Sequence, residues 1–225
     1  MNPRKQPVGF CQHPQALVEE GARIGEGTRV WAFAHVMSGA EVGRHCNLGN
    51  HSFIESGARL GDHVTVKNGV QVWEGVVAED RVFLGPSCVL TNDLRPRSGS
   101  TRTKEEWLTP ILLKEGCSIG ASATILCGNS VGRYALVGAG ALVTRSVPDF
   151  ALVRGAPARV HGWVCRCASP LEFVSSQASC SSCGYAYLLD EEGLRVTESR
   201  VSAAEDSAAA GCHSKKARRD RRKVT

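Results

Sequence analysis

Branched aliphatic residues recur in this chain at every sixth position. From Val18 they fall at Ile24, Val30, Val36, Val42, Leu48, Ile54, Leu60, Val66, Val72, Leu84 and Leu90, with Ala78 holding the phase. A second series runs Leu113, Ile119, Ile125, Val131, Val137 and Val143. The residue two places earlier is usually small: Ala16, Ala22, Thr28, Ala34, Ala40, Cys46, Ser52 and Ala58, then Cys117, Ala123, Ala135 and Ala141. Glycine often follows the aliphatic residue, as at Gly25, Gly43, Gly49, Gly61, Gly85, Gly120, Gly132 and Gly138. A helix repeats every 3.6 residues and a strand every two. Neither holds a period of six for over a hundred residues, whereas a parallel β-helix does. Each hexad is then a short strand and a tight turn. The branched residue fills a narrow prism, the small residue shares its interior, and glycine supplies positive φ at the corner. Three hexads make one triangular coil, so these 19 repeats predict roughly six coils. At about 4.8 Å per rung the prism is roughly 30 Å long. A β-sandwich has no reason to keep one phase for thirteen hexads.

The two series are 23 residues apart, which is not a multiple of six. The stretch between them, TNDLRPRSGSTRTKEEW, is polar and rich in turn formers. Residues 91–112 therefore predict a protruding loop that leaves the prism and returns to it. Residues 1–12 are expected to be a flexible arm and 13–163 the prism, with Pro148 and Pro157 ending its coils. Strand alternation places Trp31, Phe33 and His35 opposite the inward Val36, so His35 points outward, as His51 and His63 should.

The ten cysteines divide by position. Cys46, Cys88 and Cys117 occupy the small inward position and read as core filler. Cys212 stands alone near the end of the chain. Cys165-x-Cys167 and Cys180-x2-Cys183 are two close pairs twelve residues apart, a spacing suited to tetrahedral zinc held by four thiolates. Gly184 and Tyr185 fit the knuckle of a zinc ribbon, so residues 164–190 predict a separate zinc-ribbon-like module with structural zinc. The chain carries a net charge of +5, but seven basic and three acidic residues beyond Ala203 supply +4 of it. Residues 197–225 thus predict a disordered basic tail. The body is nearly neutral, which argues against nucleic-acid binding. No run of 18 apolar residues occurs and no apolar stretch follows the basic N-terminus, so the expected location is cytoplasmic, with no membrane span.

The comb with its small residue two places earlier resembles the left-handed β-helix of hexapeptide-repeat acyltransferases. That resemblance supplies the handedness, since the usual preference of β crossovers is the opposite. It also implies a homotrimer with active sites between prisms, the loop of residues 91–112 closing over a site on a neighbouring subunit. The stretch GAGALVTRSVPDFALVRGAPAR resembles the family's last coil and exit, which line an acetyl-coenzyme A groove. Gly138 and Gly140 then let the backbone approach the pantetheine arm, and Arg145, Arg154 and Arg159 meet the phosphates. HPQALVEEGARIGEGTRVWAFAHV and FLGPSCVLTNDLRPRS, with the GxPAR-type exit and Gly162-Trp163, resemble bacterial UDP-2-acetamido-3-amino-2,3-dideoxyglucuronate N-acetyltransferases. The resemblance covers residues 12–163 and omits the cysteine module and the tail.

It implies transfer of acetyl from acetyl-coenzyme A to the amine of a nucleotide-linked sugar, in surface polysaccharide precursor synthesis. Asn92 orients the amine or stabilises the intermediate, and His35 relays a proton or contacts the sugar. Arg97 pairs with the acceptor carboxylate, and Asn68 lines the same pocket. Sugar O-acetyltransferases and 4-amino-sugar N-acetyltransferases share the fold and stay open. Two further readings belong to other classes: a γ-type carbonic anhydrase using a set from His35, His45, His51 and His63, and a non-catalytic scaffold.

Overall fold

The computed structural model describes residues 9–191 and 193–198. The expected tail beyond residue 198, with Cys212, and most of the expected N-terminal arm lie outside the described residues. The described chain is almost entirely β. Two-residue strands stack in parallel into a three-faced solenoid, and a small antiparallel sheet follows it.

The first face has eight parallel rungs: Cys11–Gln12, Arg29–Val30, Asn47–Leu48, Thr65–Val66, Phe83–Leu84, Ser118–Ile119, Leu136–Val137 and Ala151–Arg154. The second runs Leu17–Val18, His35–Val36, Phe53–Ile54 and Gln71–Val72, then continues as a separate ladder of Val89–Leu90, Thr124–Ile125 and Leu142–Val143. The third runs Arg23–Ile24, Glu41–Val42, Arg59–Leu60, Val76–Ala78, Ile111–Leu113 and Ser130–Val131. In the regular coils each strand residue pairs with the one 18 places on, as Arg29 with Asn47 and Asn47 with Thr65. Three hexads therefore make one coil. The prism is longer than the comb alone predicts, because Gln12 continues the column below Val30 and Val153 continues it above Val137. Strand pairing of Cys11–Gln12 also moves the start of the folded body before residue 13, so the last residues of the expected arm belong to the first coil.

The inward columns form one continuous core. Val36, Leu48, Ile54, Val66, Val72, Leu84, Leu113, Ile119 and Ile125 are fully buried. The small positions Ala34, Ala40, Ala58, Ala123 and Cys117 lie among them. Burial raises the Cys88 and Cys117 thiols to about 12, which suits inert core filler. Two inward hydroxyls differ. Thr28 donates to the Gly43 carbonyl at 2.8 Å and accepts the Cys46 N–H at 2.9 Å. The equally buried Ser52 hydroxyl has no partner.

The corners correct one expectation. Positive φ occurs three residues after the inward aliphatic, at Gly27, Phe33, His45, His51, His63, Arg81, Ser87, Ser122 and Tyr134 among others. The glycines that directly follow the aliphatic have ordinary φ and serve close stacking instead. A Cβ on Gly43 would lie 2.4 Å from the Gly61 carbonyl oxygen, and one on Gly61 would lie 2.4 Å from Asp80 Oδ1. The space they leave admits carboxylates and carboxamides from the next coil, which cap corner amides: Asp62 takes the Arg44 N–H at 2.7 Å and Asp80 takes the Asp62 N–H at 2.8 Å.

The loop interrupts one coil without breaking register. Phe83 pairs with Ser118 and Val89 with Thr124, 35 places apart where the regular coils keep 18, so the insertion adds 17 residues, while the last coil is shortened to 16. Ile111 and Leu112, assigned to the loop on sequence, belong to the returning strand. A four-residue helix, Lys104–Trp107, lies within the loop.

Beyond the last coil the strand Arg159–Trp163 turns back antiparallel on Ala151–Arg154. The cysteine module follows as a three-stranded antiparallel sheet, Gln177–Ser179, Ala186–Asp190 and Gly193–Glu198. It runs to Glu198, past the boundary at 190 and into the segment expected as tail.

Candidate functional site

Three regions concentrate polar chemistry. The first is the loop. Its neck is closed by the Thr109 N–H on the Asn92 carbonyl at 2.9 Å, and the Asn92 carboxamide reaches the Glu74 carbonyl at 3.4 Å. Lys104 pairs with the Glu74 carboxylate, so the loop is fastened to its own prism. Asp93 and Arg102 form a two-pronged pair at 2.6 and 3.2 Å, and Arg102 also donates to the Arg95 carbonyl at 2.7 Å. This pairing, Arg102 first, holds the Asp93 carboxyl below the usual range. Asn92, Arg97, Arg102 and Trp107 line an open concavity of about 540 Å³. It shares Pro96, Arg97 and Arg102 with a hollow of about 590 Å³ that Arg95 also lines. Asn92 and Arg97 are thus brought together.

His35 and Asn68 do not join them. His35 lies on the second face three rungs before Val89–Leu90, roughly 14 Å along the axis from the rung that leads into Asn92. Its Nε2 lies 2.7 Å from Glu19 Oε1, and its ring meets Phe53 edge-on at 5.2 Å. The Ser38 backbone N–H fixes the other Glu19 oxygen at 3.0 Å. That hydrogen bond, with the one to His35, holds the Glu19 carboxyl below its ordinary value. Glu19 went unnoticed in the sequence because the two residues are sixteen apart. Wrapping the chain at 18 sets Glu19 one coil below Met37, beside the coil that carries His35. Asn68 sits at a corner, where its Oδ1 accepts the Asn50 N–H at 3.1 Å, in the manner of Asp62 and Asp80. His45 and His63 stack at 5.1 Å on another corner, while His51 stacks on Phe33. Among the described residues of one chain, no three histidines converge.

The second region is the end of the prism. Arg145 and Arg159 line a cleft of about 150 Å³ together with Val147, Val153 and Val160. The exit strap closes over the last coil through the Leu142 N–H on the Gly155 carbonyl and the Ala158 N–H on the Leu142 carbonyl. Gly140 has positive φ and nothing within 4 Å of where a Cβ would stand, whereas a Cβ on Gly138 would meet Arg154 at 3.1 Å.

The third region is the four-cysteine centre. The sulfurs of Cys165, Cys167, Cys180 and Cys183 lie within 4.8 Å of one another, with Cys165–Cys183 at 3.2 Å and Cys167–Cys180 at 3.6 Å. Tetrahedral zinc–thiolate bonds of about 2.3 Å require sulfurs about 3.8 Å apart, so the set fits such an ion. Gly184 adopts positive φ, and the Cys180 N–H reaches the Tyr185 carbonyl at 2.9 Å, closing the expected knuckle. Partial desolvation opposes ionisation of Cys167, but hydrogen bonds from Ser169 prevail and hold its thiol at about 6.

The bacterial transferase hexapeptide family (six repeats) matches residues 21–56, and the hexapeptide repeat of succinyl-transferase matches 113–145. Both matched stretches lie within the β-solenoid, one on each side of the inserted loop. Its relatives include the dTDP-3-amino-3,6-dideoxy-alpha-D-galactopyranose 3-N-acetyltransferase of Aneurinibacillus thermoaerophilus, 53% identical over 76 residues, which are 34% of this chain and 39% of that protein. The 2,3,4,5-tetrahydropyridine-2,6-dicarboxylate N-acetyltransferase of Staphylococcus aureus is 40% identical over 79 residues, 35% of this chain and 29% of that protein. The chain thus spans well under half the length of the curated relatives it matches. Among solved structures, GDP-perosamine N-acetyl transferase from Caulobacter crescentus in complex with CoA and GDP-perosamine aligns at TM-score 0.44 and 23% identity, over 69% of this chain and 57% of that one. WeeI from Acinetobacter baumannii aligns at TM-score 0.44 and 25% identity, over 66% and 56%. No described helix is long and apolar enough to cross a membrane.

Proposed function

We propose that this chain is an acetyl-coenzyme A-dependent N-acetyltransferase acting on the 3-amine of a nucleotide-linked amino sugar in surface polysaccharide precursor synthesis. The observation that carries the reading is the 53% identity over 76 residues to an enzyme named as a 3-N-acetyltransferase of a dTDP-linked sugar. The C6 substituent and the nucleotide are the finer part of the proposal. The resemblance to the 3-amino glucuronate enzymes favours UDP and a carboxylate that Arg97 would grip, whereas the named relative acts on a 6-deoxy sugar.

In this reading the amine attacks the acetyl carbonyl carbon. The C–N bond forms, the thioester C–S bond breaks, and the departing thiolate takes the proton that the amine gives up. An amine with a pKa of about 8 is partly neutral near pH 7, so the protein mainly positions and polarises. Asn92 orients the amine or the carbonyl oxygen, and Gly138, Gly140, Arg145, Arg154 and Arg159 hold the coenzyme. Asn68 is left with a corner-capping role unless its amide also reaches substrate. His35 relays a proton or contacts the sugar, with Glu19 orienting it. Since His35 and Asn92 stand apart in one chain, their joint action requires the homotrimer, with the loop of one subunit against the His35 face of the next. The four cysteines would hold a structural zinc ion, which ties the module together and takes no part in the transfer. The expected location is the cytoplasm.

The Glu19–His35 pair also suits a second reading, sugar O-acetylation, because a hydroxyl needs a base and a carboxylate-oriented imidazole supplies one. One experiment separates them. The protein is incubated with acetyl-coenzyme A and UDP- or dTDP-linked 3-amino, 4-amino and hydroxyl acceptors, with and without a C6 carboxylate, and products are read by mass. Acetylation confined to 3-amino sugars supports the proposal. Transfer to a hydroxyl replaces it with the second reading, and no transfer to any acceptor overturns both.

A further inference from the structure

The cysteine module and the cleft at the end of the prism share one segment of chain. Val147, Pro148 and Val153 line the cleft, while Phe150 between them turns to the module. Phe150 stacks on Tyr134 of the prism at 5.6 Å and meets Tyr187 of the module edge-on at 5.5 Å. Tyr187 is buried, and its hydroxyl donates to Cys165 Sγ at 3.0 Å. The Val164 N–H reaches the Phe150 carbonyl at 2.8 Å, and Trp163 packs against both hydrophobic clusters. Cleft residues Arg159 and Val160 belong to the strand that ends at Trp163, two residues before the first thiol.

Arg166 joins the two bodies. It stands between Cys165 and Cys167 in sequence, and its guanidinium lies 5.1 Å from the ring centroids of both Tyr134 and Tyr185. It donates to both phenol oxygens at 3.2 Å. The Tyr134 hydroxyl donates onward to Glu115 at 3.0 Å, and Arg81 pairs with the same carboxylate. A planar cation over two rings, hydrogen-bonded to both hydroxyls, fixes orientation in a way that an ammonium cannot.

We infer that the four-thiolate module sets the shape of the cleft, with Arg166 as the positioning residue that couples them. The inference rests on reading that cleft as the acetyl-coenzyme A site. A folded module holds Tyr187 and Arg166 in place, these hold Phe150 and Tyr134, and the segment from Val147 to Val160 then keeps the cleft open between Arg145 and Arg159. An unfolded module releases the strap from one side only, so the donor site should suffer and the loop concavity should not.

The test uses the full-length chain reconstituted with zinc, the same chain after chelation, and Arg166→Ala and Arg166→Lys variants with zinc content measured. Hydrogen exchange across residues 147–163 should rise on chelation and in Arg166→Ala, and exchange in the early coils should stay constant. The KM for acetyl-coenzyme A should rise about tenfold, equivalent to about 1.4 kcal/mol of donor binding, with acceptor KM and kcat unchanged. Arg166→Lys should fall between. Unchanged exchange in 147–163 overturns the inference whatever the activity. A matched fall in kcat and rise in both KM values overturns it too, because that marks general destabilisation. An untouched protein that fails to bind acetyl-coenzyme A overturns the donor reading instead, and the exchange result still decides the coupling.

Discussion

The prism and the cysteine module reach a buried interior by opposite routes. The prism repeats one six-residue solution until its columns are long, and its core is made of Val, Ile, Leu and small residues in one continuous cluster. The module spans some thirty-five residues, buries few of the described ones (Val164, Cys165, Leu171, Ala178, Cys180, Tyr187 and Leu194), and converges on four sulfurs. A sheet that small is marginal without a staple. Repetition thus spreads stability along an axis, whereas the module concentrates it at a point.

That contrast predicts unequal consequences for single changes. The largest is expected from Cys180→Ser, since structural zinc in small modules supplies on the order of 10 kcal/mol of folding free energy. Zinc content should fall to zero and residues 164–198 should become sensitive to protease, while the prism keeps its cooperative melt. Leu113→Ala is the matching change in the prism, with an expected loss of about 2–5 kcal/mol and unchanged zinc content. A prism that melts with the module would abolish the distinction.

Next come the corners. Gly43→Ala forces a Cβ against the Gly61 carbonyl and should destabilise by about 1–3 kcal/mol. Ser122→Gly, at a positive-φ corner, should change stability by less than about 1 kcal/mol, in the stabilising direction. Denaturant midpoints that rank the two in reverse would show that φ, and not stacking, governs the glycines. The buried hydroxyls give a smaller contrast. Thr28→Val strands the Cys46 N–H and should lose about 1–2 kcal/mol, whereas Ser52→Ala removes an unpartnered oxygen and should be neutral or gain up to about 1 kcal/mol. Equal midpoints for both would deny the difference in hydrogen bonding.

The smallest effect is the pH dependence of the Glu19–His35 pair. Its folded carboxyl lies below the ordinary 4.5, so the contribution is complete above that value and fades as pH falls through the lowered one. Glu19→Gln should therefore lower thermal stability at neutral pH, and the gap to the unaltered protein should narrow as pH falls below 4.5. Profiles that stay parallel into the acid range would remove the pair from the account.

Much of this architecture was readable from residues alone, because a period of six reports geometry directly. Every aliphatic column from Val30 to Val143 is buried, and the loop leaves where the phase breaks. The corners were misread because glycine has two uses, and only coordinates separate positive φ from the absence of a Cβ. Asn68 looked like a pocket residue because capping of the next coil is invisible in a linear chain. The contact of Glu19 with His35 is hidden for the same reason, while Asn92 and Arg97 lie in one loop, so their shared concavity follows from their nearness in sequence. The four cysteines announced themselves by spacing, but the Arg166 contacts to Tyr134 did not, since 32 residues separate those partners.

The inserted loop returns with the columns still aligned, although its 17 residues are not a multiple of six. The scaffold therefore counts positions in space and is indifferent to how much chain is spent between them. Such a frame lets recognition vary separately from architecture: a different loop could be exchanged between Leu90 and Ile111, as a tool is changed in a fixed handle, with no side chain of the interior asked to move.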